Sequence, residues 1–473
     1  MTRHVTTDYS GYLSPFSWRY GSPAMRRIWS EEHKRRLWRQ IWVSLARAES
    51  RFGLVSQTQV DELERHAGDI DIERSLEIEK EIHHDLMAEV QTFAAQCPVA
   101  GGIIHLGATS MDIEDNADAL RICESLDLLI ENLRQLLGSV ADCMEQYADT
   151  PVMGFTHMQP AEPTTFGYRC AVWGQDLLIC FRDIVSLRAE VKGKGFKGAV
   201  GSAASYADLV GVENVGAFEA AMEKELGIGF FPIATQTYTR LQDYRVLSRL
   251  SALGAALHKM AFDLRLLQSP PIGEVQEPFS SRQVGSSAMP FKRNPINSEK
   301  IDSLARQLAS LPDVAWGNAS LSLLERTLDD SANRRSILPE GFLLCDEMIS
   351  TAQKIVDGVV VDQAAIRRTI EDYAPFACTE RVLMAMGKAG ANRQDTHERL
   401  RQHSLAAWEE VRAGKVNTLA DRIRSDPFFS AWLDPGEMDR LFCVQEYVGT
   451  APRRARSFAI LTRAELQPGA ARP

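Results

Sequence analysis

One uninterrupted run constrains this chain more than any other feature. From Asn116 to Tyr147 the residues Leu120, Cys123, Leu126, Ile130, Leu133, Leu137, Val140, Met144 and Tyr147 recur every three or four positions, with no proline among them. That spacing predicts a single long amphipathic helix of roughly 45 to 50 Å at about 1.5 Å per residue, too long for the interior of an ordinary domain. Further long helices are expected from about Thr165 to Val191, from about Asp243 to Leu267, after Pro295 towards Leu311, and from about Ala332 to Val356 with a kink at Pro339. Strand-period alternation is scarce, so the expected fold class is all-α, built on a central bundle of long helices.

The flanks differ from the middle. Before Gly101 the helices are shorter and more charged, and after Asp362 Pro375, Pro427, Pro435 and Pro452 break the chain into short helices. The 473 residues divide on this reading into an N-terminal helical domain (1–110), a central long-helix domain (111–361) and a C-terminal helical domain (362–473). Lys and Arg total 53 against 63 Asp and Glu, a net charge of −10, which argues against a grip on nucleic acid. Arg453, Arg454 and Arg456 near the end read as a solvated helix face rather than a nucleic-acid patch. The eight cysteines stand singly, with no C-x-x-C pair, and read as thiols of a reducing compartment. Met1 to Tyr20 has no apolar leader core and no run of about 18 apolar residues follows, so a cytoplasmic protein without membrane contact is expected.

Several segments carry possible chemistry. Gly193-Lys-Gly-Phe-Lys-Gly198 matches G-x-G-x-x-G, yet a long helix precedes it where the dinucleotide fingerprint needs a strand; the glycines read as a tight reversal. His83, His84 and Asp85 lack the partners of a metal site, and adjacent helical residues point about 100° apart, so at most one of the two histidines faces a given site. Gly285-Ser-Ser-Ala-Met-Pro-Phe-Lys-Arg-Asn294 is a small-residue loop between two long helices; its hydroxyls, ammonium and amide could bind an anion and supply a proton acceptor, or it is a solvated linker. In Glu325 to Arg335, Ser331 looks like a helix N-cap with Arg335 one turn further on. That is phosphate-binding chemistry, or else a surface salt-bridge network. His105 to Ser110 stands just before the long helix and Gly154 to Ala161 just after it. If both serve one site, different subunits must supply them.

Taken together, these segments resemble the fumarase/aspartase superfamily and, within it, the eukaryotic-type branch of the adenylosuccinate lyase family. Gly285 to Pro295 is similar to the superfamily's signature loop. Arg19-Tyr20, His84-Asp85, His105 to Ser110, Thr156 to Ala161, Gln236-Thr-Tyr238, Arg326 to Arg335 and Asn392 to Asp395 follow in matching order from about residue 15 to 450. The resemblance implies a three-domain fold and cleavage of the C–N bond of a succinylated purine nucleotide by β-elimination, releasing fumarate. It implies Ser286 as general base, His157 as general acid, His84 as an assistant in proton transfer, and Lys292 and Asn294 as stabilisers of the charged carboxylate. Thr109, Ser110 and Thr156 would hold the succinyl group and Gln236 the base or succinyl group. Arg19, Tyr20, Arg326, Ser331 and Arg335 would grip phosphate and ribose, with Asp85 beside them. It further implies a homotetramer with shared sites, and neither metal nor organic cofactor.

Elimination needs a base for a weakly acidic C–H, an anion trap and an acid for the leaving nitrogen, and these residue types supply all three. Serine is a poor base at its ordinary pKa, so Ser286 requires loop closure around it. Lys300, Thr235, Leu241 and Asn297 depart from the branch's usual residues, which leaves open a paralogue acting on a related succinylated nucleotide in a specialised pathway. An inert helical scaffold, a nucleotide-binding regulator, or a lyase of argininosuccinate, aspartate or malate are the more remote alternatives; the set Ser286, Lys292, Asn294, His157 and the arginines speak against them.

Overall fold

The structure is a computed structural model that describes residues 10–467. The reading of Met1 to Tyr20 falls partly on residues 1–9, outside the described residues, as does the end of the tail beyond 467. Among the described residues eighteen α-helices alternate with two short antiparallel sheets. Those that position functional groups are α1 (Glu31–Ser50), α2 (Ile72–Ile82), α3 (Asp85–Gln96), α4 (Ser110–Gln146), strands β1 (Pro151–Thr156) and β2 (Gln159–Thr165), α5 (Phe166–Glu190), α6 (Leu241–Gln268), β3 (Val275–Gln276), α7 (Ile296–Ser320), α8 (Ser331–Gly358), β4 (Val360–Val361), α9 (Gln363–Ala389), α10 (Arg393–Arg412) and α11 (Ala451–Glu465).

The expected long helices are all present. α4 has 37 residues, about 55 Å at 1.5 Å per residue. Its start is fixed where the Asp112 carboxylate accepts the Thr109 N–H at 3.0 Å, reaching back to the otherwise unpaired first turn. It ends before Pro151, whose ring belongs to β1.

The chain forms two compact units. The first comprises Met1–Asn132, Cys180–Ala255 and Leu304–Ile349. Its core is helical and aromatic: Trp42 of α1 stacks on Phe93 of α3, and Leu247 and Leu250 of α6 crowd Gly341 of α8. Here the Gly193 to Gly198 run is a tight reversal after α5, as expected. Gly195 and Gly198 have positive φ, and the run is pinned by Asn116, which receives the Gly195 N–H, and by a buried Lys194–Asp112 ion pair.

The second unit comprises Leu133–Ile179, Ala256–Ser303 and Ser350–Pro473. α9 and α10 enclose a cluster of Val382, Met386, Leu400, Ala407, Leu419, Ile423 and Phe429, and α9 packs on both strands of the β1–β2 hairpin. The basic tail is a helix face, α11, where Arg456 pairs with Asp149 and Arg463 with Asp142 and Glu145. The cysteines are all free; Cys143 and Cys443 are half-buried and the rest buried.

Candidate functional site

In the first unit, the polar groups around the start of α4 and α8 gather about one cleft. It is open to solvent, with a cavity volume of about 90 Å³. Arg326, Ser331 and Arg335 line it together with Asp85, Met111 and Glu114. Ser331 opens α8 as its first residue, with its N–H bonded to the Leu328 carbonyl, rather than standing outside it as a cap. Arg335, one turn on, is exposed and reaches Asp85 at 2.8 Å. Arg326 turns to Asp330 at 2.9 Å.

His83 and His84 are not helical neighbours. His83 takes a left-handed conformation that ends α2, and His84 is the N-cap of α3, its Nδ1 accepting the Met87 N–H at 3.5 Å. The sharp reversal presents His84 alone: its Nε2 lies 3.3 Å from Ser110 Oγ. Next to it, Gln236 donates to Thr109 Oγ1 at 3.3 Å, while the Gln236 N–H is tied to the Glu325 carbonyl. Arg19 and Tyr20 follow a short 3-10 turn, with the guanidinium 6.0 Å from the Tyr20 ring; Arg26 holds the Tyr20 carbonyl.

At the floor of the cleft, with Arg240, Asp330 and Arg334 reaching its lining, is a set of charges that the sequence alone does not bring out. Arg240 bridges Asp115 at 2.9 Å and Asp330 at 2.5 Å, and Arg334 binds Asp243 at 2.7 Å and the Tyr238 hydroxyl at 2.8 Å. All are buried. Burial, reinforced by Asp243, pushes the Tyr238 hydroxyl well above its ordinary range, so it stays neutral and donates to Asp243 at 2.6 Å. Although burial opposes ionisation of Asp330, the guanidiniums of Arg240, Arg334 and Arg326 hold its carboxyl below the usual range. The signal that could have revealed this layer is the triplet Asp112, Asp115 and Asp118, three residues apart on one face at the start of a long helix.

The second unit carries the remaining residues. Thr156 ends β1, and His157 with Met158 forms the two-residue turn to β2, both with positive φ (52° and 61°). This is the backbone of a type I′ turn, built here without Asn or Gly. Strand signals were weak because Pro151, Pro160 and Pro163 interrupt them.

Ser286, Lys292 and Asn294 lie on the loop from β3 to α7. Ser286 Oγ accepts the N–H groups of Met289 at 3.1 Å and Ala288 at 3.3 Å, and Asn294 donates to the Gly285 carbonyl at 3.3 Å. A Cβ on Gly285 would fall 2.0 Å from the Lys292 carbonyl, so only glycine closes this loop. Its two ends are fastened by Glu277, whose carboxylate receives the N–H groups of Asn297 and Ser298 and the Asn297 side chain at 2.9 Å, and by Gln268, which donates to the Arg293 carbonyl and accepts the Glu277 N–H. The departure at Asn297 thus serves the loop's anchorage. Among the described residues no group of three or more His, Cys, Asp or Glu side chains gathers for a metal ion.

Against this geometry, the chain matches the family described as lyase over residues 19–309 and that described as adenylosuccinate lyase C-terminus over residues 375–458. It is 40% identical to the adenylosuccinate lyase of Saccharomyces cerevisiae over 460 residues, 95% of this chain and 94% of the yeast protein. It is 39% identical to that of Schizosaccharomyces pombe, again over 95% and 94%, and 35% identical to that of Pyrococcus abyssi over 93% of this chain and 95% of that one. Among solved structures, 3-carboxy-cis,cis-muconate lactonizing enzyme from Pseudomonas putida superposes with a TM-score of 0.84 at 26% identity, covering 94% of this chain and 99% of that one. A fumarate lyase from Mesorhizobium sp. BNC1 shares the fold at TM-score 0.82 and 23% identity, covering 95% and 99%.

Fold and sequence together define a lyase of the fumarase/aspartase superfamily. Within it the chain belongs to the adenylosuccinate lyase family.

Proposed function

We propose that this enzyme cleaves adenylosuccinate, and the succinyl-aminoimidazole-carboxamide ribotide, to fumarate and the corresponding aminated nucleotide. Ser286 removes a proton from the succinyl β-carbon, the C–N bond breaks with its electron pair on nitrogen, and His157 returns a proton to that nitrogen. Two backbone N–H groups on Ser286 Oγ favour its ionised form. Lys292 and Asn294 face the carboxylate on which charge accumulates, His84 assists proton transfer, and Thr109, Ser110, Thr156 and Gln236 hold the succinyl group. Arg19, Tyr20, Arg326, Ser331 and Arg335, with Asp85, hold the phosphate and ribose. As written, the reaction is acid–base chemistry and asks for no metal or organic cofactor.

The observation that carries this reading is the cleft itself. Its wall of Arg326, Ser331 and Arg335 is joined through Asp85 and Met111 to their chain neighbours His84 and Ser110, which lie 3.3 Å apart. We propose further that the enzyme is a cytoplasmic homotetramer with shared sites. In support, about 55 Å of helix separates Ser110 from the segment that carries His157. Val172 and Ile179 on α5 and Val314 and Trp316 on α7 expose large apolar side chains. No helix among the described residues is long and apolar enough to cross a membrane. Ultraviolet absorbance during incubation with adenylosuccinate and, separately, with the ribotide measures turnover. Fumarate from either supports the assignment, and fumarate from neither overturns it.

A further inference from the structure

We propose that Glu114 is a specificity-determining residue of the cleft, held there as a neutral carboxylic acid that donates a hydrogen bond to the nucleotide's phosphate. The inference rests on the reading of this cleft as the phosphate site. Glu114 stands on α4 one turn beyond Ser110 and one turn before Asp118, and its half-buried side chain lines the same cavity as Arg326, Ser331 and Arg335.

Among the ionisable side chains that line this cleft, all in described residues, Glu114 is the one without a hydrogen bond or ion pair. Glu31 pairs with Lys34, Arg121 and Arg334 with Asp118, Arg240 and Arg326 with Asp330, and Arg335 with Asp85. An unpartnered carboxyl in such a wall has two courses: ionise among other carboxylates, or remain protonated and act as a donor.

The surroundings decide between them. Asp85 faces Glu114 from the head of α3, Asp115 and Asp118 from its own helix, and Arg335 from α8. Burial, reinforced by those three carboxylates and opposed by Arg335, pushes Glu114 up to about 8. The formal charges of the wall agree. With Glu114 neutral, the six basic side chains of the wall are balanced by its four carboxylates together with the buried Asp115 and Asp243 that hold Arg240 and Arg334, so no net negative charge faces a phosphate dianion. An ionised Glu114 would make the wall negative and repel the ligand. As an acid it adds an O–H donor to the wall that also carries Ser331, and a charge-assisted bond from such a donor to phosphate is strong.

Calorimetric titration of the whole enzyme with AMP between pH 7.5 and 9.5, in buffers of different ionisation heat, tests this. Below about pH 8 the wild-type affinity should be level. Above it, affinity should fall by about tenfold per pH unit, with close to one proton taken up per AMP bound. Glu114→Gln, which keeps a donor and cannot ionise, should bind at neutral pH like wild type and lose both the slope and the proton uptake; Glu114→Ala should bind more weakly than Glu114→Gln at every pH and likewise lack the slope.

A wild-type affinity that stays level to pH 9.5 without proton uptake overturns the proposal, and that measurement decides even if a variant fails to fold. So does a Glu114→Gln protein that keeps the slope. Failure of the underlying reading looks different: adenosine would then bind wild type as tightly as AMP.

Discussion

Arg335 of α8 and Asp85 at the head of α3 hold each other at 2.8 Å in the wall of the cleft, although 250 residues separate them in sequence. The carboxylate keeps an exposed, flexible guanidinium pointed at the cavity before any ligand arrives. An arriving phosphate then meets an oriented donor, and the carboxylate keeps Arg335 from wandering in its absence.

Removing that guanidinium should therefore cost binding and leave folding alone. Arg335→Ala is expected to weaken AMP by about 10- to 100-fold, the equivalent of roughly 1.5 to 3 kcal/mol for a charge-assisted bond, with adenosine unaffected and Tm unchanged. Arg335→Lys should recover only part of the loss, because lysine lacks the planar fork. Equal loss for adenosine and AMP would move Arg335 out of the phosphate site.

Arg334, its neighbour, should behave in the opposite way. Its guanidinium is buried against Asp243 and the Tyr238 hydroxyl, so Arg334→Ala leaves a buried carboxylate uncompensated. The expected loss is about 3 to 5 kcal/mol of stability. A melting curve like that of wild type would show that the layer at the floor of the cleft is not structural.

The chemistry is tested at the loop and the hairpin. Ser286→Ala and His157→Ala should each retain circular dichroism and oligomeric state while kcat falls by about 10² or more. Either variant keeping more than about a tenth of wild-type kcat loses its assigned role.

Mixing those two inactive proteins tests whether sites are shared. If subunits exchange and some sites draw an intact Ser286 from one variant subunit and an intact His157 from the other, activity returns in the mixture. Hybrids that form and stay inactive, or an active wild type that sediments as a monomer, would exclude shared sites.

Glu49 of α1 offers a measurement independent of catalysis. Both of its carboxylate oxygens are buried without a hydrogen-bond partner, and burial pushes the group up to about 8. In the unfolded chain it titrates near 4.3, roughly the free glutamate value. Its folded value lies above its unfolded one, so the stability it contributes is complete below about pH 4.3 and is lost as pH rises towards 8. Glu49→Gln should accordingly melt above wild type at pH 8, by a margin that shrinks towards pH 5. A constant margin across that range would mean that Glu49 does not govern the slope.

Helix periodicity located α4 to α8 within a few residues at most ends, because a long apolar stripe survives local noise. α7 ran on past its expected end, since the sequence offers Pro312 as a stop and the helix absorbs it. The hairpin went unread for the opposite reason: three prolines and a His-Met turn give none of the usual strand or turn signals. In the site, exposed or loop residues such as Arg335 and Ser286 stood out by composition. Arg240, Arg334, Asp115 and Asp243 did not, because a charged residue on an amphipathic helix looks solvated until its partner, far away in sequence, is in place. Glu114, which has no such partner, was hidden because on α4 it reads as one more solvated charge.

The two positive φ angles at His157 and Met158 place the proposed proton donor on a backbone that side-chain-bearing residues resist, at roughly 1 to 2 kcal/mol for each residue. An Asn-Gly pair there would relax the hairpin and remove the imidazole in the same stroke. Selection for heat resistance and selection for turnover would thus pull these two codons in opposite directions, and a library screened for survival at high temperature alone should accumulate inactive sequences at this turn.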